Sequence, residues 1–179
     1  MAFNYVGSVN GAQRNLVLVL LADSLTFSVG EIVETYTTGY ATNALAAKPF
    51  LGVIHAITTE GSLPEIKGAS TAGSANTSDT KTVTTAADNV STKKYYALVD
   101  TSVHAIYSCP SNGTIGTTAD SELPGARVDV DADEGQILEN TATRTIGTPA
   151  NFYIHGLDPN DAARSLVSIA MSEYTSVGE

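Results

Sequence analysis

The sequence predicts an all-β protein: a small β-barrel or β-sandwich of many short antiparallel strands, with at most one short helix. Charged residues make up only 16% of the chain, against about 25% in a typical globular protein. Thr, Ser, Asn and Gly supply the polarity instead, and β-branched Thr suits a pleated surface. No stretch repeats apolar residues at helical spacing for long, whereas turn residues recur about every eight to twelve positions.

The first part of the chain contains several strand candidates. Residues 1–15 are polar with spaced apolar side chains, which predicts an extended arm or an edge strand. The run LVLVLLA at Leu16–Ala22 predicts a central strand buried on both faces, because it is far shorter than the roughly 20 residues of a membrane helix. Glycine and proline turns set off two further strands, at Ile32–Tyr36 and Phe50–Thr58.

The middle of the chain alternates loops and strands. Residues 60–76 are rich in Gly, Ser, Ala and Thr and predict a long loop or weak edge strands. A short strand is predicted at Lys81–Thr85. Two apolar segments, Tyr95–Val99 and Val103–Tyr107, flank a polar turn and together predict a β-hairpin.

The last part contains short strand candidates at Arg127–Val130, Gln136–Leu138 and Phe152–Leu157. The tetrad Asp158-Pro159-Asn160-Asp161 predicts one helical turn, with Asp as the cap and Pro at the first helical position. Apolar and polar residues alternate through Ser165–Tyr174, which predicts a half-buried strand.

The length permits one substantial core or two small ones. We expect a single β-rich chain over residues 1–179. The alternative is a division into two lobes, one formed by residues 1–60 with the C-terminal strands and the other by residues 80–160.

The net charge of −10, from 9 basic and 19 acidic residues, argues against nucleic acid as a partner, because phosphate binding needs clustered Lys and Arg. Membrane association is not expected either. Cys109 is the single cysteine, so no disulfide can form within the chain. No signal peptide is recognisable, and we expect synthesis in the cytoplasm.

No pattern predicts catalysis. His55, His104 and His155 lie in or beside predicted strands without metal-binding spacing. His155, Asp158 and Ser165 have the residue types of a hydrolytic triad, but the glycine-flanked serine turn is absent. We therefore expect a protein that is not an enzyme and has no catalytic residues.

The acidic run around Asp129, Asp131 and Asp133 has two interpretations. Carboxylates at alternate positions can present oxygens to Ca²⁺. However, Glu134 stands where a calcium loop needs Gly, and Asn140 stands where it needs an acid. The simpler interpretation is an acidic edge that discourages strand pairing. No cofactor is expected, and calcium is the one candidate.

Two segments carry a resemblance to a known class of protein. Ser28–Ile57 (SVGEIVETYTTGYATNALAAKPFLGVIHAI) resembles small β-domains of phage head-decoration proteins. Leu123–Glu173 resembles the distal part of phage virion proteins, through Leu123-Pro124-Gly125, Glu139-x-Thr141-x-x-Arg144 and Gly156-Leu157-Asp158-Pro159. The two segments together cover about half of the chain.

The resemblance implies a capsid decoration (cement) protein of a tailed bacteriophage. Such a protein lies on the exterior of the virion, binds the major capsid protein and stabilises the shell; self-association as a trimer is common in this class. We expect the N-terminal segment to supply capsid contacts through Phe3, Tyr5 and Arg14, because aromatic residues and Arg are frequent anchors. The alternative function is a carbohydrate- or receptor-binding accessory protein of a phage tail or fibre.

Overall fold

A computed structural model describes residues 3–35, 39–43, 51–58, 82–112, 124–131, 136–143 and 152–170. These residues form short strands, a 3-10 turn at Val9–Gly11 and one short helix, α1, at Asn89–Thr92. The strands of the N-terminal half are β1 (Asn4–Ser8), β2 (Leu16–Leu20), β3 (Thr26–Ser28), β4 (Ile32–Thr35), β5 (Ala41–Asn43) and β6 (Gly52–Thr58). Those of the C-terminal half are β7 (Thr82–Thr84), β8 (Tyr96–Asp100), β9 (Ala105–Pro110), β10 (Arg127–Asp131), β11 (Gln136–Thr143), β12 (Phe152–Asp158) and β13 (Asp161–Ile169).

The larger sheet is antiparallel and has the order β1-β9-β13-β12-β10-β11. A single parallel bridge between Ser111, just after β9, and Ile137 of β11 curls the sheet towards itself. One apolar cluster packs against this sheet, with side chains from every one of its strands except β1, together with Phe3 and with Ile32 and Val53 of the second sheet. Phe3 stacks on Phe152 with the ring centroids 5.1 Å apart, and this contact fastens the start of the chain to the core.

The second sheet has the order β2-β8-β6-β4-β5, and β3 pairs with β7 in a separate two-stranded ribbon. A second apolar cluster joins this sheet to the ribbon through fully buried residues that include Leu21, Phe27, Leu51 and Val99. Asn89 of α1 is also buried, and its side-chain amide donates to the carbonyl of Leu21 at 2.6 Å. The short helix therefore closes one end of this cluster.

The all-β prediction is confirmed, and the open, stacked sheets correspond to its sandwich alternative. Strands at Ile32–Thr35, Gly52–Thr58, Thr82–Thr84 and Phe152–Asp158 lie where apolar runs between turns predicted them. Val167 and Ile169 of the last described strand are almost fully buried, as the alternation predicted, but Ser168 and Ala170 are buried as well, so the prediction of a half-buried strand is wrong at this end.

The predicted hairpin around residues 100–102 is wrong. β8 lies in the five-stranded sheet and β9 in the six-stranded sheet, so the turn carries the chain between sheets. The Asp100 carboxylate accepts a hydrogen bond from the amide of Ser102 at 3.0 Å, and the amide of Thr101 donates to the carbonyl of Asn15 at 2.8 Å. These contacts direct the chain away from β8.

Two further expectations are corrected. Leu16–Leu20 forms the edge strand β2, which is mostly half-buried, and is not a central strand. The tetrad Asp158-Pro159-Asn160-Asp161 forms the tight turn between β12 and β13, with Asp158 opposite Asp161 in the ladder. The amide of Asn160 donates to the Asp158 carboxylate at 2.9 Å, so the capping capacity of Asp is used in a hairpin instead of a helix.

The division into lobes stays a prediction. The predicted loop at residues 60–76 and the predicted strand end at residues 171–174 lie outside the described residues. Within the described residues, the structure contains no helix with the length and apolarity that a membrane crossing requires.

Candidate functional site

An open cleft of about 330 Å³ lies where β1 approaches β6 and β9. We call it the Arg14 cleft. Its polar lining consists of Asn4, Tyr5, Arg14, His55 and Tyr107. Its apolar lining consists of Phe3, Val29, Gly30, Val53 and Ile54.

Arg14 is held in place by three neighbours. Its Nε donates to a carboxylate oxygen of Asp100 at 2.7 Å, and its Nη2 lies 3.1 Å from Nδ1 of His55. The guanidinium carbon lies 4.0 Å from the centroid of the Tyr5 ring, within the range of a cation–π contact. The Asp100 side chain is fully buried and that of Arg14 is 19% exposed, so the ion pair is only partly screened by water.

The backbone explains why Arg14 reaches this position. The carbonyl of the next residue, Asn15, accepts a hydrogen bond from the Thr101 amide. The side-chain amide of Asn15 donates a second hydrogen bond to the Thr101 hydroxyl at 2.8 Å. The segment before β2 is thereby tied to the end of β8, next to Asp100. Asp100 is in turn opposite Val53 of β6, and His55 lies at the irregularity between Ile54 and Ala56 of the same strand.

The contact with Arg14 defines the protonation state of His55. A guanidinium has only donors, so Nδ1 of His55 must accept, and the neutral ring carries its proton on Nε2. Burial lowers the pKa of His55, the Arg14 charge lowers it further, and the Asp100 charge acts in the opposite direction. His55 is therefore a neutral hydrogen-bond donor at the cleft.

Tyr107 is almost fully buried, with its ring edge-on to Tyr5 at a centroid distance of 6.3 Å. Its hydroxyl oxygen is buried. Burial raises the pKa of Tyr107, and the nearby Asp100 charge raises it further. A side-chain hydrogen bond to the Asp100 carboxylate also raises this pKa, so the hydroxyl is protonated and directed at Asp100.

Together these groups form an open cleft in which polar side chains surround a neutral ion pair. The charges of Arg14 and Asp100 cancel, and the remaining polar groups are mainly donors. They can hold an acceptor group of a ligand or partner against an apolar floor. No metal-binding group of three or more His, Cys, Asp or Glu side chains occurs among the residues that the structure describes.

The structure brings the three expected contact residues, Phe3, Tyr5 and Arg14, to this one cleft. Tyr5 is 38% exposed, whereas Phe3 is 2% exposed. The structure thus gives Phe3 a role in the core instead of at a partner surface. Sequence reasoning missed Asp100 and Tyr107 as site residues, because neither lies in a motif and both are more than 80 positions from Arg14 along the chain.

The acidic run is only partly described. Asp129 is half-buried in β10, Asp131 ends that strand, and Asp133 lies outside the described residues. Because β10 lies between β12 and β11, the interpretation of an acidic sheet edge is wrong; the run leads into the β10–β11 connection. Calcium binding there stays a prediction.

His155, Asp158 and Ser165, which have the residue types of a triad, do not form one, because His155 hydrogen-bonds to a different serine. Nε2 of His155 lies 2.8 Å from the Ser168 hydroxyl, on the neighbouring strand. Ser165 is 1% exposed and pairs with Leu157, while the Asp158 carboxylate is engaged by the Asn160 amide. Hydrogen bonds from Ser108 and Asn160 hold the pKa of Asp158 below its usual value. The His155–Ser168 contact is a cross-strand hydrogen bond, and among the described residues no third group orients the imidazole.

Cys109 is fully buried in β9, and its burial raises the pKa of the thiol to about 12. The thiolate, which is the nucleophilic form, is therefore not populated near neutral pH. This side chain packs in the larger core.

Comparison with known proteins identifies no relative of this chain. No protein-family model matches it. No curated protein matches it either, and no solved structure does so.

Proposed function

We propose that this chain is a structural virion protein, a decoration (cement) protein that binds the outer surface of a tailed-bacteriophage capsid and stabilises it. The proposal rests on the resemblance of Ser28–Ile57 and Leu123–Glu173 to phage virion proteins. The all-β fold and the net charge of −10 are compatible with it, because an acidic protein is repelled by packaged DNA and suits the exterior of the shell.

The observation that carries the proposal is the position of β1 at the edge of the six-stranded sheet. An edge strand presents backbone groups that another chain can pair with. Tyr5 and Val6 of β1 are 38% and 52% exposed, and the register shifts between Tyr5 and Gly7. Val6 thus projects from a bulge, an irregularity that is common at sheet edges.

Binding of many identical copies stabilises a shell by mass action, provided that the mature lattice is preferred over other states. Each contact can be modest, of about 800 Å² per partner. The major capsid protein is the proposed partner, and self-association around the lattice symmetry axes is compatible with an edge-strand contact.

The test is co-sedimentation of the purified protein with undecorated capsids of the matching phage. We expect saturable binding at a fixed copy number per capsid and a higher temperature of capsid disruption. Val6→Lys places a charge on the exposed edge and should weaken binding strongly. Leu157→Lys is the matched control, because Leu157 is 44% exposed on an interior strand of the same sheet. No binding by the wild-type protein, or equal loss in both variants, would contradict the proposal.

A carbohydrate- or receptor-binding role on a phage tail or fibre is the second candidate. The exposed ring of Tyr5 at the mouth of the Arg14 cleft favours it, since aromatic rings stack on sugars. A glycan array separates the two functions: a saturable hit that Tyr5→Ala removes would favour the second candidate over the first.

A further inference from the structure

The bulge in β6 leaves the His55 side chain to be positioned by its neighbours. The pairing of β6 with β8 shifts in register between Ile54 and Ala56, so His55 is the residue at the irregularity. The extra residue of a bulge is left unpaired in the ladder, and bulges commonly re-aim a side chain. The contact that orients the imidazole is the one between its Nδ1 and Nη2 of Arg14, at 3.1 Å.

The same contact fixes the plane of the Arg14 guanidinium. Its Nε donates to the Asp100 carboxylate at 2.7 Å, and its Nη2 donates to His55. Two hydrogen bonds define the orientation of a planar fork, whereas a single one allows it to rotate. The Tyr5 ring lies against the guanidinium, whose carbon is 4.0 Å from the ring centroid. The position of Tyr5 therefore depends on both hydrogen bonds of Arg14.

Protonation of His55 removes one of these two hydrogen bonds. The neutral ring accepts through Nδ1, but an imidazolium carries a proton on both nitrogens and can only donate. Two donors and two positive charges would then face each other at 3.1 Å. Arg14 stays with Asp100, because that carboxylate is fully buried and an unpaired buried charge is costly. The half-buried imidazole is therefore the group that moves out of the cleft.

The charges around His55 are balanced only while its ring is neutral. The ionisable groups that act on it or line the cleft with it are Tyr5, Arg14, Asp100 and Tyr107. Phenols are uncharged at the pH at which histidine titrates, and the Asp100 charge, which favours the imidazolium, is already paired with Arg14. Glu31 of the neighbouring turn directs its carboxylate to the amide of Ser28 at 2.7 Å. Protonation thus adds a positive charge to a cleft whose described ion pair is neutral.

We propose that the Arg14 cleft contains a proton-operated latch, in which neutral His55 holds the guanidinium of Arg14 against Tyr5 and the protonated imidazole releases both. The latch consists of contacts within the chain and needs no ligand. Tyr5 is also one of the expected capsid contacts, so acid should loosen that contact. This last consequence alone rests on the proposed function.

The test is an NMR titration of the full chain, labelled with ¹⁵N in histidine and ¹³C in tyrosine, from about pH 8 to about pH 4. We expect the Tyr5 ring signals to shift with the same midpoint as the His55 nitrogens, and the nuclear Overhauser contact between Arg14 and Tyr5 to be lost at the acid end. The midpoint should lie below about 6.5, since burial and the Arg14 charge lower the pKa of His55. The ring contact between Phe3 and Phe152 reports that the core stays folded.

Two variants separate the latch from a direct effect of the histidine charge on Tyr5. His55→Gln keeps an oxygen that accepts from Arg14 at every pH, so the Tyr5 signals should no longer titrate. Arg14→Lys keeps a positive charge for the buried carboxylate but lacks the planar fork, so His55 should still titrate while Tyr5 does not follow it. His155→Gln is the matched control, since His155 lies on β12 outside the cleft, and Tyr5 should titrate in it as in the wild type.

Tyr5 signals that do not shift together with those of His55 would overturn the proposal. So would an Arg14–Tyr5 contact that survives protonation of His55, or an unchanged Tyr5 titration in His55→Gln. The same coupled titration in Arg14→Lys would show a direct effect of charge instead of a latch. No capsid is present in these measurements, so failure here leaves the proposed structural function standing, and failure of capsid co-sedimentation leaves the latch standing.

Discussion

At the scale of single residues, the character of the site depends on Arg14. Its contacts with Asp100, His55 and Tyr5 compensate a buried carboxylate, select one histidine tautomer and position an aromatic ring. A lysine could pair with Asp100, but it lacks the planar fork that reaches Asp100 and His55 together. The chemistry of the cleft therefore follows from one guanidinium and the groups around it.

His55 makes the stability of the fold pH-dependent. Burial and Arg14 lower its pKa in the folded state from about 6.5. As the pH falls through about 6.5, the ordinary pKa of histidine, the unfolded chain takes up a proton that the folded chain does not. The free energy of unfolding therefore decreases. We expect this stabilisation to be complete above about pH 7 and to be lost progressively in more acidic solution.

His55→Gln should flatten the dependence between about pH 5.5 and 7.5, measured by urea unfolding at each pH. Burial also lowers the pKa of His155, so part of the slope will remain. Burial raises the pKa of Glu31, whose effect has the opposite sign, but every variant compared here keeps Glu31, so its contribution cancels. His104→Gln is the control, since His104 is exposed. Equal slopes in both variants would show that His55 does not contribute.

At the scale of elements, the close approach of β6 to the end of β8 supports the cleft. A Cβ added at Gly52 would overlap the carbonyl oxygen of Asp100 and would approach its carbonyl carbon at 2.8 Å. Both atoms belong to backbone, which cannot move aside without breaking the pairing of the two strands. Glycine at the start of β6 is therefore required by packing.

Gly52→Ala should destabilise the protein by about 1–3 kcal/mol or more, the usual cost of overpacking a core. Because Asp100 would be displaced, the signals of His55 should shift as well. Gly7→Ala on β1 is the matched control, since a Cβ there meets nothing within 4 Å. Urea unfolding and the NMR spectrum of the histidines measure both effects, and similar stability of the two variants would contradict the argument.

At the scale of the whole molecule, the two sheets are assembled from strands distant in sequence. The six-stranded sheet joins β1, near the N-terminus, to β9 and through it to β13. The N-terminal segment is thus part of the fold, because Phe3 is buried against Phe152 and its amide donates to the carbonyl of Gly30 at 2.9 Å. Deleting this segment removes core as well as surface.

Deletion of Met1–Gly11 should therefore destabilise the chain by about 3 kcal/mol or more, as for loss of a buried Phe. Cys109 reports the change, since its buried thiol reacts only when the structure opens. Modification by a disulfide reagent should become about a hundredfold faster, at 1.4 kcal/mol for each factor of ten. Val6→Lys, which keeps Phe3 and β1, should react like the wild type. An unchanged rate in the deletion variant would show that β1 is a dispensable arm.

Local sequence determined the fold class and the positions of most described strands. β-branched residues, period-2 alternation and turn residues act over a few positions, so Gly52–Thr58 and the alternation ending at Ile169 could be recognised directly. Tyr5 and Arg14 could be named as anchors from residue type alone. Their surroundings could not.

Only the tertiary structure decided how the strands combine. The apolar segments on either side of Asp100 would have the same sequence pattern in a hairpin and in a connection between two sheets. A turn pattern does not specify the direction in which the chain continues after the turn. Whether a strand such as Leu16–Leu20 lies at the edge or in the centre of a sheet depends on how many distant strands pair with it. The Arg14 cleft likewise required His55, Asp100 and Tyr107 to converge from three strands, β6, β8 and β9, through long-range packing that no local pattern encodes.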